Sequence, residues 1–340
     1  MIKNLLLYLL VLSTTSCSTY RFIGNPITIN SENLNIKLSE EDLVFFNENQ
    51  KEIWPLLDIN DDKIPGMSVN KANKELIKDK KGEEVIVAII DSGVEIDHPY
   101  LSEFIWTNSN EIPNNGIDDD QNGYVDDLNG WNFLGKSDKE NLEYVRLLKK
   151  SKPEDKMREI YQKEIDDAID KNNKTLNRIR SLSKTMEKSD SILKVATGKD
   201  DYKIKDAKEI VPKSIEIDEA IRFMESAISN NWTESRFLDA IDYYESSNKY
   251  HNNIEFDGRS IVGDDPDNFN DRNYGDSNVD DTNNHGTHVS GIVRSISKSV
   301  KIMSIRCVPD GDEYDKDVAL SIIYAVDNGA KVINFSFGKK

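Results

Sequence analysis

At 340 residues the chain can hold one large domain or two, and its 62 acidic against 44 basic residues leave a net charge of −18 at pH 7. That balance argues against nucleic-acid binding, which rests on basic side chains meeting phosphates. Two cysteines, Cys17 and Cys307, cannot make a disulfide framework.

Met1 to Cys17 reads as an export signal. Lys3 supplies the positive start, and Leu5 through Leu12 form an apolar core too short to span a bilayer. Thr14-Thr15-Ser16 then places small residues before Cys17. This resembles a bacterial lipoprotein cleavage site, with Thr14 where leucine is usual. The resemblance implies an acylated Cys17, a lipid anchor in the membrane, and residence in the cell envelope. An ordinary signal peptide, with secretion, is the other reading. Residues 18–58 are polar and rich in Asn and Glu, and read as a tether or a short pro-segment. Val69 to Lys78 has helical composition, with Ala72, Leu76 and Ile77 spaced for one face.

Val85 to Ile90 is a continuous β-branched, apolar run, the pattern of a buried strand in a parallel sheet. It ends in Asp91-Ser92-Gly93. Ligand sites in open α/β sheets form outside the carboxyl ends of the strands. A carboxylate there can orient an imidazole, although Asp-Ser-Gly is also ordinary turn chemistry.

Further on, Asp118, Asp120 and Asn122 alternate, Gly123 follows for a sharp turn, and Tyr124 and Asp126 continue the series. This is the spacing of a calcium loop, where hard oxygens wrap a hard cation. The twelfth position is Asn129 and not the glutamate of an EF-hand. Asp127 is a candidate for the missing carboxylate. The alternative is a solvated, acidic Asx turn.

Residues 132–255 change character, with many charges and few glycines. Met157 to Ile169, Leu176 to Met186 and Ile217 to Ile228 each trace a helical stripe, so three to five amphipathic helices are expected. A polar, acidic loop from Val262 to Asp281 follows.

In Asn284-His285-Gly286-Thr287-His288, His285 stands at the start of a helix. A histidine there is a candidate general base. Gly286 lets another backbone approach, and Gly291 is expected to let the helix pack closely on a sheet. A zinc pair of His285 and His288 is disfavoured, because the zinc motif spaces its histidines four apart around a glutamate. Val300 to Ile305 reads as a strand, Lys316 to Asp327 as a helix stopped by Gly329, and Lys331 to Phe335 as the next strand. Strand, helix and strand at this spacing make a parallel βαβ unit.

Together, Val87 to Val94, His98-Pro99, His285 to Gly291 and Val332 to Gly338 resemble, in order, the motifs of the subtilisin-like serine proteases. The resemblance covers about residues 54–131 and 256–340 and implies an α/β fold with a parallel sheet. Residues 59–131 and 256–340 would then be two parts of one domain, with 132–255 a helical insertion. It also implies a serine endopeptidase acting on peptide or protein substrates. Asp91 would orient His285, His285 would act as base, and Ser336, Phe337 and Gly338 would line the substrate cleft. His98 takes a structural reading, and Tyr100 replaces the aspartate that binds calcium in many members. The family's Gly-Thr-Ser nucleophile motif does not occur in the 340 residues, nor does its oxyanion-hole asparagine. The 340 residues alone are therefore expected to be inactive, to present an unpaired strand edge, and to fold poorly. An inactive, peptide-binding or envelope module is the rival reading.

Overall fold

The computed structural model describes residues 48–78, 80 and 82–338. Cys17 and the export signal lie outside them. The chain divides into two compact units, Met1–Lys81 and Gly82–Lys340. In the first, helix α1 (Glu48–Ile53) leads into a 3₁₀ turn at Trp54–Leu56. Helix α2 (Val69–Ala72) runs on as a π turn through Asn73–Ile77. Among its described residues, Leu57 and Ile64 are the buried apolar side chains, while Leu76 and Ile77 are exposed. Asp58 organises its turn, accepting from the backbone of Asn60 and Asp61 and from the Ser68 hydroxyl.

The second unit is built on a four-stranded parallel sheet. Its strands are β1 (Val85–Asp91), β2 (Gly130–Asn132), β3 (Val300–Arg306) and β4 (Val332–Phe335), in the order β2-β3-β1-β4. The continuous apolar run of β1 follows from its central place, with both faces covered. Successive side chains point to opposite faces. Ala88 and Ile90 join Met303, Ile305, Trp131 and Phe133 in one core, while Val87 and Ile89 join Ile302, Leu101 and Ile105 in another. Cys307, just past β3, is a buried member of the first core.

The connection between β2 and β3 carries the helices. Helix α3 (Glu143–Lys150) precedes α4 (Met157–Thr197), which runs for 41 residues. Two of the stripes seen in the sequence thus belong to one helix, because neither Gly nor Pro interrupts it before Gly198 turns left-handed at φ +65. Ion pairs four apart line its surface at Lys163–Asp167, Asp170–Lys174 and Asp190–Lys194. Helices α5 (Ile204–Lys208), α6 (Ile215–Ser229) and α7 (Glu234–Ser246) return along it. Leu193, Ala207, Ala220 and Ile221 form a core shared by α4, α5 and α6. Asn132, where the sequence reading begins the insertion, lies in β2 itself.

Three helices complete the unit: α8 (Arg259–Val262), α9 (His285–Ile296) and α10 (Asp315–Asp327). Leu320, Tyr324 and Ala325 of α10 cover one face of the sheet, and Val289 and Val293 of α9 pack on the other. Arg259 grips the buried Asp317 at 2.7 and 3.2 Å, and Tyr274 donates its hydroxyl to the same carboxylate at 2.5 Å. These bonds tie α8 to α10. Among the described residues, no helix is long and apolar enough to cross a membrane.

Candidate active site

The carboxyl ends of β1, β3 and β4 lie side by side, since Asp91 pairs with Arg306 and Ile90 with Phe335 in the parallel register. Asp91 is the last residue of β1 and is buried. His285 is the first residue of α9, with its side chain about half exposed. The two are brought together, His285 Nδ1 standing 2.7 Å from Asp91 Oδ1. The same oxygen accepts from the Ser92 backbone N–H at 2.8 Å. Asp91 Oδ2 is buried with no hydrogen-bond partner among the described residues. The imidazole is therefore the group placed to offset this charge. With Nδ1–H donated to Asp91, the lone pair on Nε2 is left free to take a proton.

Gly286 makes this approach possible. A Cβ there would stand 2.0 Å from the Gly93 carbonyl oxygen and 3.1 Å from the Asp91 Cβ. Gly93 itself sits at φ +115, close under the Asp280 carbonyl, where a side chain would be strained and crowded. Gly291, expected to seat the helix closely, has nothing within 4 Å of where a Cβ would stand. Close packing of α9 thus occurs at its first turn and not at Gly291. His288 is exposed and takes no part in the pair.

A second carboxylate, which the sequence reading leaves in a plain acidic loop, stands behind the first. Asp281 Oδ1 accepts from the Ser92 hydroxyl at 2.9 Å and from Asn283 N–H at 3.0 Å, and its Oδ2 accepts from Thr287 N–H at 2.8 Å. The Ser92 hydroxyl in turn accepts from Gly286 N–H at 3.1 Å. Asn283 Oδ1 accepts from His285 N–H at 3.0 Å. Asp281 therefore ties the strand-end turn to the first turn of α9 and fixes the spacing of Asp91 and His285. The visible sequence signal is an acidic residue shortly before a helix start, which is capping chemistry.

Beyond β4, Ser336 and Gly338 are exposed and Phe337 is half-buried. Phe337 stacks edge-on against Phe335, their ring centroids 5.6 Å apart. It also lines a cavity of about 320 Å³ with Val318, Ala319 and Ile322. Phe337 thus borders an apolar-walled recess just beyond β4.

In the acidic loop, the residues singled out by spacing separate into two groups. Asp118 accepts from the backbone of Asn122 and Gly123, and Asp126 from that of Asn115 and Gly116. The first closes a local turn, and the second ties two arms of the loop together. Tyr124 turns its ring onto Trp131, Phe133 and Tyr324. Asp120 instead faces Glu111 and Asp127, carboxylate oxygens of all three lying within 4.8 Å of one another. Asn122 stands at the edge, donating to Asp127 at 3.0 Å. Asp127 also accepts from Tyr324 at 2.6 Å and from Asn108 at 2.9 Å. Burial pushes its carboxyl up to about 6. A carboxylate penalised for its charge in this way gains from a nearby cation. Glu111 stands outside the periodic stretch, so spacing could not point to it.

Residues 82–340 match the Subtilase family. Among curated proteins, a 95-residue stretch is 37% identical to the thermophilic serine proteinase of Bacillus sp. (strain AK1), covering 25% of this chain and 22% of that one. A 62-residue stretch is 40% identical to subtilisin-like protease 1 of Plasmodium berghei, covering 18% of this chain and 10% of that one. The matched segments therefore span less than a quarter of either relative. No solved structure matches. With 82–340 covered by the family and its aspartate and histidine motifs meeting at the sheet's carboxyl end, the chain belongs to the subtilase family.

Proposed function

We propose that this chain carries the aspartate and histidine of a subtilisin-type serine endopeptidase. The observation that carries the reading is the 2.7 Å contact from His285 Nδ1 to Asp91 Oδ1, between a buried carboxylate and a half-exposed imidazole. In this reading His285 Nε2 takes the proton of a serine hydroxyl as that oxygen attacks the peptide carbonyl. It then returns the proton to the leaving amine. Asp91 holds the tautomer and stabilises the imidazolium. Ser336, Phe337 and Gly338 border the bound peptide, whose extended backbone pairs along the end of β4. No residue among the 340 is assigned as nucleophile, since none stands in a Gly-Thr-Ser motif. The second reading carried from the sequence is a catalytically inactive subtilase that binds peptides or a partner in the cleft.

The donor set of Glu111, Asp120 and Asp127 is all hard oxygen and fits calcium better than a softer metal. Calcium bound there would neutralise the buried Asp127 and brace the loop against β2 and α10, a structural role. We carry forward from the sequence alone an exported protein, anchored through Cys17 or secreted.

The test is peptide hydrolysis by the protein expressed from its own coding region, beside its His285→Ala form, with products sequenced by mass spectrometry. Cleavage that disappears in the variant supports the endopeptidase. Binding of the same peptides with no cleavage in either form would transfer the assignment to the binding module.

A further inference from the structure

The segment 276–284 crosses the carboxyl ends of the sheet before it delivers His285, and it is fastened to one strand after another. Asp276 exchanges backbone hydrogen bonds with Asn132 of β2 at 2.9 and 3.0 Å and accepts from the Asn132 side chain at 2.8 Å. The Val279 carbonyl accepts from Val94 N–H at 2.9 Å, just past β1, and from the Ser304 hydroxyl of β3 at 3.2 Å. Asp281 holds Ser92 and Thr287. Thr282 stands between Asp281 and Asn283, the residue whose side chain bonds the His285 backbone. Its hydroxyl accepts from Arg306 Nη2 at 3.1 Å.

Arg306 is the last residue of β3, is the register partner of Asp91, and is buried. Alternation along the two strands turns both side chains to the face of Val87, Ile89 and Ile302, on which α9 packs. Arg306 Nε has no hydrogen-bond partner, and no ion pair joins the guanidinium to a described carboxylate. Burial lowers its pKa, while the carboxylates of Asp138, Asp276, Asp281 and Asp280 act in the other direction. A buried charge with so few partners is costly. Thr282 does not require it, since a neutral donor bonds a hydroxyl as well. The acids around it do. Ser92 Oγ lies 3.2 Å from Asp91 Oδ1 and 2.9 Å from Asp281 Oδ1, and one hydroxyl proton cannot serve both carboxylates. Two carboxylates this close repel unless a cation offsets them.

We infer that Arg306 is a positioning residue for His285: its buried guanidinium holds Thr282 and offsets the acidic charge of segment 276–281, so that the segment lies against the Asp91 end of β1 and sets the imidazole on the Asp91 carboxylate. This rests on the assignment of Asp91 and His285 made above. Arg306 acts through Thr282 and the acidic segment and touches no reacting atom.

The test uses the protein expressed from its own coding region, isotope-labelled at its histidines for magnetic resonance. An imidazole N–H bonded to a carboxylate gives a low-field proton that exchanges slowly with water, and the His285 signal is identified by its loss in His285→Ala. In Arg306→Met, well below Tm, this proton is expected to exchange about tenfold faster or more. In Thr282→Val, a change at an exposed position that spares the charge, it exchanges faster by a smaller factor; this variant decides the matter if Arg306→Met does not fold. Arg306→Lys, which keeps the charge, restores most of the protection. On cleaved peptides the same order is expected in kcat, about tenfold for Arg306→Met, with KM changed by no more than about twofold. Exchange unchanged in Arg306→Met and Thr282→Val, or equal losses in Arg306→Lys and Arg306→Met, overturns the inference. A wild-type protein that shows the proton and cuts no peptide contradicts the endopeptidase reading alone, and the exchange rates still decide the role of Arg306. A wild-type protein without the proton contradicts the Asp91–His285 pairing and takes this inference with it.

Discussion

Asp91 and His285 stand 194 positions apart in sequence and 2.7 Å apart in space. The distance is set by three features acting together: the end of β1, the first turn of α9, and a glycine between them that admits no side chain. In the endopeptidase, His285→Ala is expected to lower kcat by about 10⁴-fold or more, the scale for losing a triad member. Asp91→Asn keeps the shape but favours the wrong tautomer, and is expected to cost about 10⁴-fold. Steady-state kinetics beside melting curves checks both, since neither change should unfold the protein.

Asp281 acts through Ser92 and the α9 backbone. Asp281→Ala leaves Thr287 N–H, Asn283 N–H and the Ser92 hydroxyl without this partner. The expected cost is about 1–2 kcal/mol of stability, the usual range for a lost cap. Loosening of the Asp91–His285 spacing should lower kcat/KM by about tenfold or more at temperatures well below Tm. Asp281→Asn, which keeps the Oδ1 acceptor, should recover part of both. A melting shift without a rate change would assign Asp281 to the fold alone.

Calcium is expected to raise Tm at pH 7, by an amount that grows with its concentration as mass action requires. At a hundredfold excess over Kd the gain is about 2.7 kcal/mol. Glu111→Gln and Asp127→Asn should each remove most of that gain, while Asp118→Asn, whose carboxylate serves the turn, should remove less. Scanning calorimetry with chelator and with added calcium checks this. Equal responses in all three variants would place the ion elsewhere.

Asp310 couples the insertion to the β3 loop and gives a pH dependence of known sign. His251, whose Nε2 lies 3.0 Å from its Oδ1, holds the carboxyl well below the usual carboxylate range, helped by Lys139 at 2.8 Å. The histidine contact is close but off-line for a hydrogen bond. A carboxylate depressed on folding contributes stability that is present above its unfolded value, about 4, and lost as pH falls through the folded value. Because Asp310 is about one-third exposed, solvent screening limits the effect to about 1 kcal/mol. Asp310→Asn should lower Tm at pH 7 and pH 5, with the difference closing below pH 3. A constant difference across that range would contradict the account.

Much of the sheet was legible in the sequence because its two central strands, β1 and β3, are buried on both faces. Val85 to Ile90 is a continuous apolar run, Val300 to Ile305 alternates like a strand, and the parallel arrangement follows from the helix between Val300 and Phe335. Strand β2 escaped the reading because Gly130–Asn132 is too short to show a period. The two stripes of α4 looked like separate helices because the polar run Asp170–Thr175 lies between them. A helix paired by ions along its surface needs no apolar residue there. Asp91 and His285 were visible as motif residues. Asp281 and Glu111 were not, since their meaning lies in contacts with Ser92, Thr287 and Asp120 made only when distant segments fold together.

The most direct test is labelling with a fluorophosphonate, a probe that reacts with a serine activated by a neighbouring base. It is applied to the protein expressed from its own coding region and to its His285→Ala and Asp91→Asn forms. The account predicts that the native protein labels on one serine, that His285→Ala does not label, and that Asp91→Asn labels far more slowly. A native protein that stays unlabelled, or labelling that is indifferent to His285, would contradict the assignment of Asp91 and His285 to a protease and favour the peptide-binding module.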